Sequence, residues 1–323
     1  MRDFDWLVPS IALTIMSGLI AILLIPSYSG ILPAIAVLPI WVLAACVLVG
    51  GYGLVSMMRA GVDSPVAHVR ETIALNWRSY SIPALGIVIA GLNMTTFMWT
   101  KPLLNYLVPF WADPLLADID YWLFFGNDPW VFLTWLNTMP MAFFYHRGWF
   151  VMMLIVLLLV LTARPSPQKS ALMLTYFLMW SVIGPVIHIM LPATGPIFYA
   201  DMGYGDRFAD LGAVSQTREV AAYLWSLYSV QGFGAGAGIS AMPSLHITTT
   251  VWMIVAVQQI APRWNVPIAA AGFLIFLLSI ALGWHYAVDG IVGGAAAWAC
   301  YKLTYAFYNS WRGLGRGKSL AVG

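Results

Sequence analysis

The run "WLVPSIALTIMSGLIAILLIPS" at 6–27 contains no ionisable side chain. It has the length that the hydrocarbon core of a bilayer requires, about 20 residues. Comparable runs recur at 31–57, 81–98, 148–163, 171–192, 245–260, 266–284 and 286–308. In water such segments would expose more apolar surface than a folded chain can hide. The chain is 61% hydrophobic and 9% charged, with a mean hydropathy of +0.82, whereas soluble domains carry about a quarter charged residues. The fold class expected is therefore all-α and membrane-integral, with about eight transmembrane helices. The first run follows an acidic "MRDFD" and lacks an A-x-A site after it, so it is expected to be a retained helix rather than a signal peptide.

Three stretches do not read as spans. Residues 58–80 have the pattern of a cytoplasmic amphipathic segment. Residues 99–147 are rich in aromatics and aspartate and are expected to lie in the interface. Residues 193–243 form a long loop. Sixteen tryptophans and fifteen tyrosines fit aromatic belts at the two membrane surfaces. Cys46 and Cys300 lie inside apolar runs and read as small packing residues. A net charge of +2 offers no nucleic-acid footprint.

Orientation follows from lysine and arginine. With both termini cytoplasmic, 11 of these residues fall inside and only Lys101, Arg147, Arg207 and Arg218 fall outside. The long loop ends, on that outer side, in "AMPSLHITTT", which places Ser244 and His246 at the mouth of an apolar helix. A second polar group lies in "ALGWHYAVDGIVGG", where Asp289 follows His285 by four residues and so shares its helix face. A carboxylate so placed can hold one imidazole nitrogen and leave the other to act as base or nucleophile. One helical hairpin separates His246 from His285, which brings both to the same outer level. Ionisable groups at membrane depth are expensive and mark function. His188, near the outer end of its span, is a further candidate for the pocket.

Two other classes compete for these residues. Two histidines and a carboxylate also make a facial metal triad. Glycine-rich "GFGAGAGIS" could be a broken helix of a transporter, where paired midplane charges would be expected. The outer position of the glycine run counts against a transporter and the absence of any further nearby ligand counts against a metal centre, so no metal or other cofactor is expected.

Pro243-Ser244-Leu245-His246 and His285 with Asp289 resemble the second and third signatures of the type 2 phosphatidic acid phosphatase superfamily. "AMPSLH", "HYAVD" and the softer "ADIDYWLFFGNDPW" look most like the inositolphosphotransferase-like branch that contains inositol phosphorylceramide synthase. The likeness covers residues 81–310, a six-helix phosphatase-type catalytic core. Residues 1–80 are then an N-terminal extension, and 311–323 a basic cytoplasmic tail. The resemblance implies a lipid substrate entering from the bilayer, His285 as nucleophile, Asp289 orienting it, and His246 as general acid and base. Ser244, Arg147, Lys101 and His188 are the expected substrate-binding residues, with Arg147 preferred over Lys101 as phosphate ligand. Two departures stand out. The first signature, lysine followed at a fixed distance by Arg-Pro, is absent, and Ser279 occupies the usual arginine position six residues before His285. Transfer to a lipid or sugar hydroxyl is the activity expected, with hydrolysis by water as the alternative.

Overall fold

The computed structural model describes residues 3–25 and 30–320, with side chains to residue 310. Arg2 and the end of the first expected span at 26–27 lie outside the described residues, as do the side chains of Arg312, Arg316 and Lys318. Among the described residues every regular element is a helix.

In chain order the main helices are α1 (Phe4–Leu24), α2 (Ile31–Ala60), α3 (Pro65–Leu107), α4 (Asp113–Leu123), α5 (Met139–Thr162) and α6 (Pro167–Met190). They are followed by α7 (Ala209–Val214), α8 (Arg218–Ser229), α9 (Leu245–Ile260), α10 (Asn265–Ala281) and α11 (Ala287–Leu320). Six of the described helices are long and apolar enough to cross a membrane: α1, α2, α3, α5, α6, and α10 with the short turn before it. The chain is an all-α, multi-pass integral membrane protein. The other two expected spans coincide with α9, which has 16 residues, and α11.

The boundaries differ from the sequence reading in three informative places. The stretch 58–80 is not a separate amphipathic segment. Helix α3 runs through it, bending at Asn76 (φ −118°, ψ 15°), and continues past the expected end at 98 to Leu107. Lys101 therefore lies within α3. Helix α5 begins at Met139 rather than 148, so Arg147 lies within a helix instead of just before one. The basic tail continues α11 as helix to Leu320. In each case hydropathy marks where a helix meets lipid, while backbone hydrogen bonding carries it further.

The N-terminal helices share the main core. Trp6 is fully buried, and Gly86 of α3 lets its ring approach. Asn93 of α3 donates to Ser181 of α6 at 2.7 Å and to Thr14 of α1 at 3.3 Å. Lys169, at the start of α6, forms a sheltered ion pair with Asp3 at 2.8 Å, and Trp6 Nε1 donates to the same carboxylate.

Helices α9 and α11 form the most extensive helix pair of the bundle. The residues of "DGIVGG" explain the closeness. A methyl group on Gly293 would collide with Thr248 Oγ1 and lie 3.0 Å from the Ser244 carbonyl. Without a side chain there, the start of α9 can rest against the first turns of α11. Adding one carbon to so tight a contact costs about 1–3 kcal/mol. Gly293→Ala is therefore expected to lower the unfolding temperature in detergent by several degrees. Gly50→Ala, in open space on α2, should leave it unchanged or raise it slightly, as removal of a helical glycine does.

Candidate active site

Five elements deliver polar side chains to one end of the bundle. His246 lies in the first turn of α9, and His285 lies two residues before the start of α11. Their ring centroids are 6.5 Å apart. Tyr145 and His146 come from the start of α5, His188 from the end of α6, and Lys101 with Asn105 from the end of α3.

The backbone around His285 is held by carboxylates. The first N–H groups of a helix have no partner within it. Asp120 of α4 supplies them here, accepting from Ala287 N at 2.6 Å and Val288 N at 3.0 Å. Asp289 reaches back to accept from Tyr286 N at 2.9 Å, the half of a capping box normally made by a residue at this position. Asp113, also buried, accepts from Thr194 N and Gly195 N of the long loop and from Tyr286 Oη. Neither Asp113 nor Asp120 stood out from sequence as functional. Their signal is the aspartate-rich character of 113–128, which in sequence reads as interfacial polarity.

These contacts alter the expected pairing of His285. Its Nδ1 lies 2.8 Å from the Ala241 carbonyl and 3.5 Å from Asp289 Oδ2. A carbonyl only accepts, so Nδ1 carries the proton and Nε2 is left with its lone pair. The Ala241 carbonyl is thus the nearer tautomer-setting group, with the buried Asp289 carboxyl farther off.

His246 is enclosed by aromatic rings. Tyr145 stacks on it at 4.5 Å, Trp149 lies at 4.2 Å, and His146 meets it edge-on at 6.2 Å. Trp149 Nε1 also donates to the His246 carbonyl at 3.1 Å. Consecutive residues of a regular α-helix point about 100° apart. Here a π-helical turn at Phe144–Gly148 allows both Tyr145 and His146 to touch one ring. Such turns are frequent at functional sites.

The other expected site residues fall into distinct places. Ser244 is fully buried and caps α9, its hydroxyl accepting from Ile247 N at 3.4 Å. His188 is buried with both nitrogens engaged: Nε2 with Asn105 Nδ2 at 3.2 Å, and Nδ1 near Ser240 Oγ at 3.1 Å and the Met242 carbonyl at 3.3 Å. Asn105 also exchanges two hydrogen bonds with the backbone of Ile239. Both side chains pin the loop that leads into Ser244.

Of the four cations that the sequence reading places on the outer side, Lys101 alone acts electrostatically on His188, His246 and His285 together. The loop reaches it through Gly238 (φ +93°), where a methyl group would lie 2.9 Å from Lys101 Cγ. Arg147, the preferred ligand from sequence, is exposed, and its charge acts on His146. Arg207 is committed to Asp118 and Asp128, each at 2.8 Å. Arg218 is exposed at the start of α8. Among the described residues no group of three or more His, Cys, Asp or Glu is arranged to hold a metal ion.

The sequence profile of the PAP2 superfamily matches residues 115–303, more than half of the chain, and the chain belongs to that superfamily. Its members are phosphatases or phosphotransferases acting on lipid phosphoesters, and this chain is an enzyme of that class. No curated protein and no solved structure matches it.

Burial pushes the Asp120 carboxyl up to about 6, against the two backbone N–H groups that favour its charged form; Asp289 and Asp128 add to the rise. The folded state then binds this proton more tightly than the unfolded chain, whose carboxyl titrates near 4. The resulting stabilisation is complete below about pH 4 and is lost as the pH rises through about 6. Asp120→Asn should remove this component. Thermal unfolding in detergent, compared between wild type and variant from pH 4 to 7, should show a difference that changes by up to about 3 kcal/mol.

Proposed function

We propose that the chain is a lipid phosphotransferase of the inositolphosphotransferase-like branch. On this reading it moves a phosphate or phospho-headgroup from a lipid donor to a hydroxyl acceptor through a phosphohistidine. The observation that carries the reading is the pair of imidazoles 6.5 Å apart, one with a free Nε2 and a carbonyl on its other nitrogen. Two such rings can address one phosphorus from two sides.

In the first half-reaction His285 Nε2 donates its lone pair to phosphorus. The bond from phosphorus to the leaving lipid oxygen breaks, and protonated His246 gives that oxygen its proton. In the second half-reaction His246 takes the proton of the acceptor hydroxyl. The new O–P bond forms as the N–P bond breaks, which returns both imidazoles to their starting states. The buried Asp289 carboxylate offsets the positive charge that develops on His285. Lys101, in electrostatic reach of both rings, is assigned to the phosphoryl oxygens ahead of Arg147. Ser244 and His188 support the site by holding the loop and the start of α9.

The enclosure of His246 between Tyr145 and Trp149 favours an apolar acceptor over bulk water. Hydrolysis remains the alternative outcome of the same phosphohistidine. The bias of lysine and arginine supports an extracytoplasmic site with both termini cytoplasmic. The catalytic unit we assign is 81–310, with α1 buttressing it through Trp6 and Asn93.

The test uses purified protein in detergent with chelator present. Phosphatidic acid, phosphatidylinositol and a polyprenyl diphosphate are each supplied with and without ceramide or diacylglycerol. A new phospholipid formed only with acceptor is the expected result, reduced to background in His285→Ala and by about 10²–10⁴-fold in His246→Gln. Release of phosphate or phospho-headgroup without acceptor would make the enzyme a hydrolase. Turnover that persists in His285→Ala would overturn the phosphohistidine.

A further inference from the structure

The superfamily signature places an arginine where this chain has Ser279. That serine is fully buried and donates to the Phe276 carbonyl at 2.7 Å. It brings no charge to the site, and the other outer arginines are exposed or already paired. Something else must receive the oxygens of the transferring group, because charge developing there has to be met by groups already in position.

Three donor-capable ring atoms around the histidine pair, besides the acceptor Asp289 Oδ1, are sealed from solvent and have no hydrogen-bond partner among the described residues: Tyr145 Oη, His146 Nε2 and Trp284 Nε1. Their rings are contiguous with the site. Tyr145 stacks on His246, and His146 lies edge-on to His246 and, at 5.9 Å, to Trp284. Trp284 is the chain neighbour of His285. Buried polar groups are nearly always paired in a folded protein, so three unpaired donors on rings that touch the histidine pair and one another call for a common explanation. All three can be donors: a phenol O–H, an indole N–H and an imidazole in its Nε2–H form.

We propose that Tyr145, His146 and Trp284 form a neutral donor cradle for the non-bridging oxygens of the phosphoryl group carried between His246 and His285. The π-helical turn of α5 exists, on this view, to present Tyr145 and His146 to that group together. Lys101 supplies the one positive charge, and the cradle supplies direction without adding a second. The proposal rests on the phosphoryl-transfer reading of the same site.

The experiment compares wild type with Tyr145→Phe, Trp284→Phe and the pair His146→Gln and His146→Leu. Turnover is measured on whichever lipid of the panel the wild type uses, with orthovanadate as a probe of the bound phosphoryl geometry. Losing one donor of an oxyanion-binding set lowers kcat by about 10²–10³-fold. That loss is expected for Tyr145→Phe, Trp284→Phe and His146→Leu, together with a matching loss of vanadate inhibition. His146→Gln, which keeps an N–H, should retain most of both. The unfolding temperature without vanadate should stay level in Tyr145→Phe, since the ring and its stacking remain.

Variants that keep kcat and vanadate inhibition within threefold of wild type, while His285→Ala is inactive, would overturn the cradle and leave the phosphohistidine standing. A fall in unfolding temperature with kcat unchanged would assign the three groups to packing and also overturn it. If wild type shows neither His285-dependent turnover nor vanadate binding, both readings fall. Should Trp284→Phe not fold, the isosteric Tyr145→Phe and the His146 pair decide the matter.

Discussion

The N–H groups that open α11 are met by buried carboxylates, and those carboxylates hold the backbone beside His285 in place. Asp120 takes the N–H groups of Ala287 and Val288, and Asp289 takes that of Tyr286. A helix N-terminus carries about half a positive charge, so two buried carboxylates are tolerable there. The consequence is geometric. His285 lies two residues before a helix end fixed from two directions, and its Nδ1 meets the Ala241 carbonyl of a loop that is itself tied down. That loop is fastened at Ala193, whose carbonyl accepts from Ala241 N, at Thr194 and Gly195 by Asp113, and at Ile239 by Asn105. An irregular segment of this length can be precise only because its polar backbone is paired at these points.

The same constraint explains what could be read from sequence and what could not. Long apolar runs announced every membrane helix, and the spacing of His246, His285 and Asp289 announced one shared level, because helix period and hydropathy are local properties of the chain. The partner of His285 Nδ1 was not legible. A backbone carbonyl leaves no trace in residue identity, so a carboxylate four residues along was the natural expectation. Asp113 and Asp120 were hidden for a related reason. A carboxylate that caps a distant helix looks in sequence like any interfacial aspartate, and only tertiary contact distinguishes the two.

Arg147 and Lys101 make the contrast sharper. In sequence Arg147 borders a span and Lys101 sits in an aromatic-rich stretch, which favours the arginine. In the fold, α5 starts nine residues earlier than its apolar stretch, and its π-helical turn gives the inward positions to Tyr145 and His146 while Arg147 is exposed. Helix α3 meanwhile carries Lys101 to the level of the histidines. Hydropathy locates the lipid boundary but is silent about helical phase. One extra residue in a turn is enough to exchange which side chain faces the site.

The charge balance follows from these placements. Asp113 and Asp120 are satisfied chiefly by backbone N–H groups rather than by cations, and Asp289 takes one such N–H on Oδ2. Had arginines been used to neutralise them, the site would hold strong donors already bound to protein anions and of little use to an incoming phosphoryl group. Arg207 illustrates the point, since Asp118 and Asp128 occupy its guanidinium. Backbone capping leaves Lys101 outside the ion pairs among the described residues. A half-buried ammonium without a carboxylate partner is costly in the resting protein. On the proposed reading of the site, an incoming phosphoryl group would offset that cost, because the field of one lysine acts more strongly in a sheltered medium than in water.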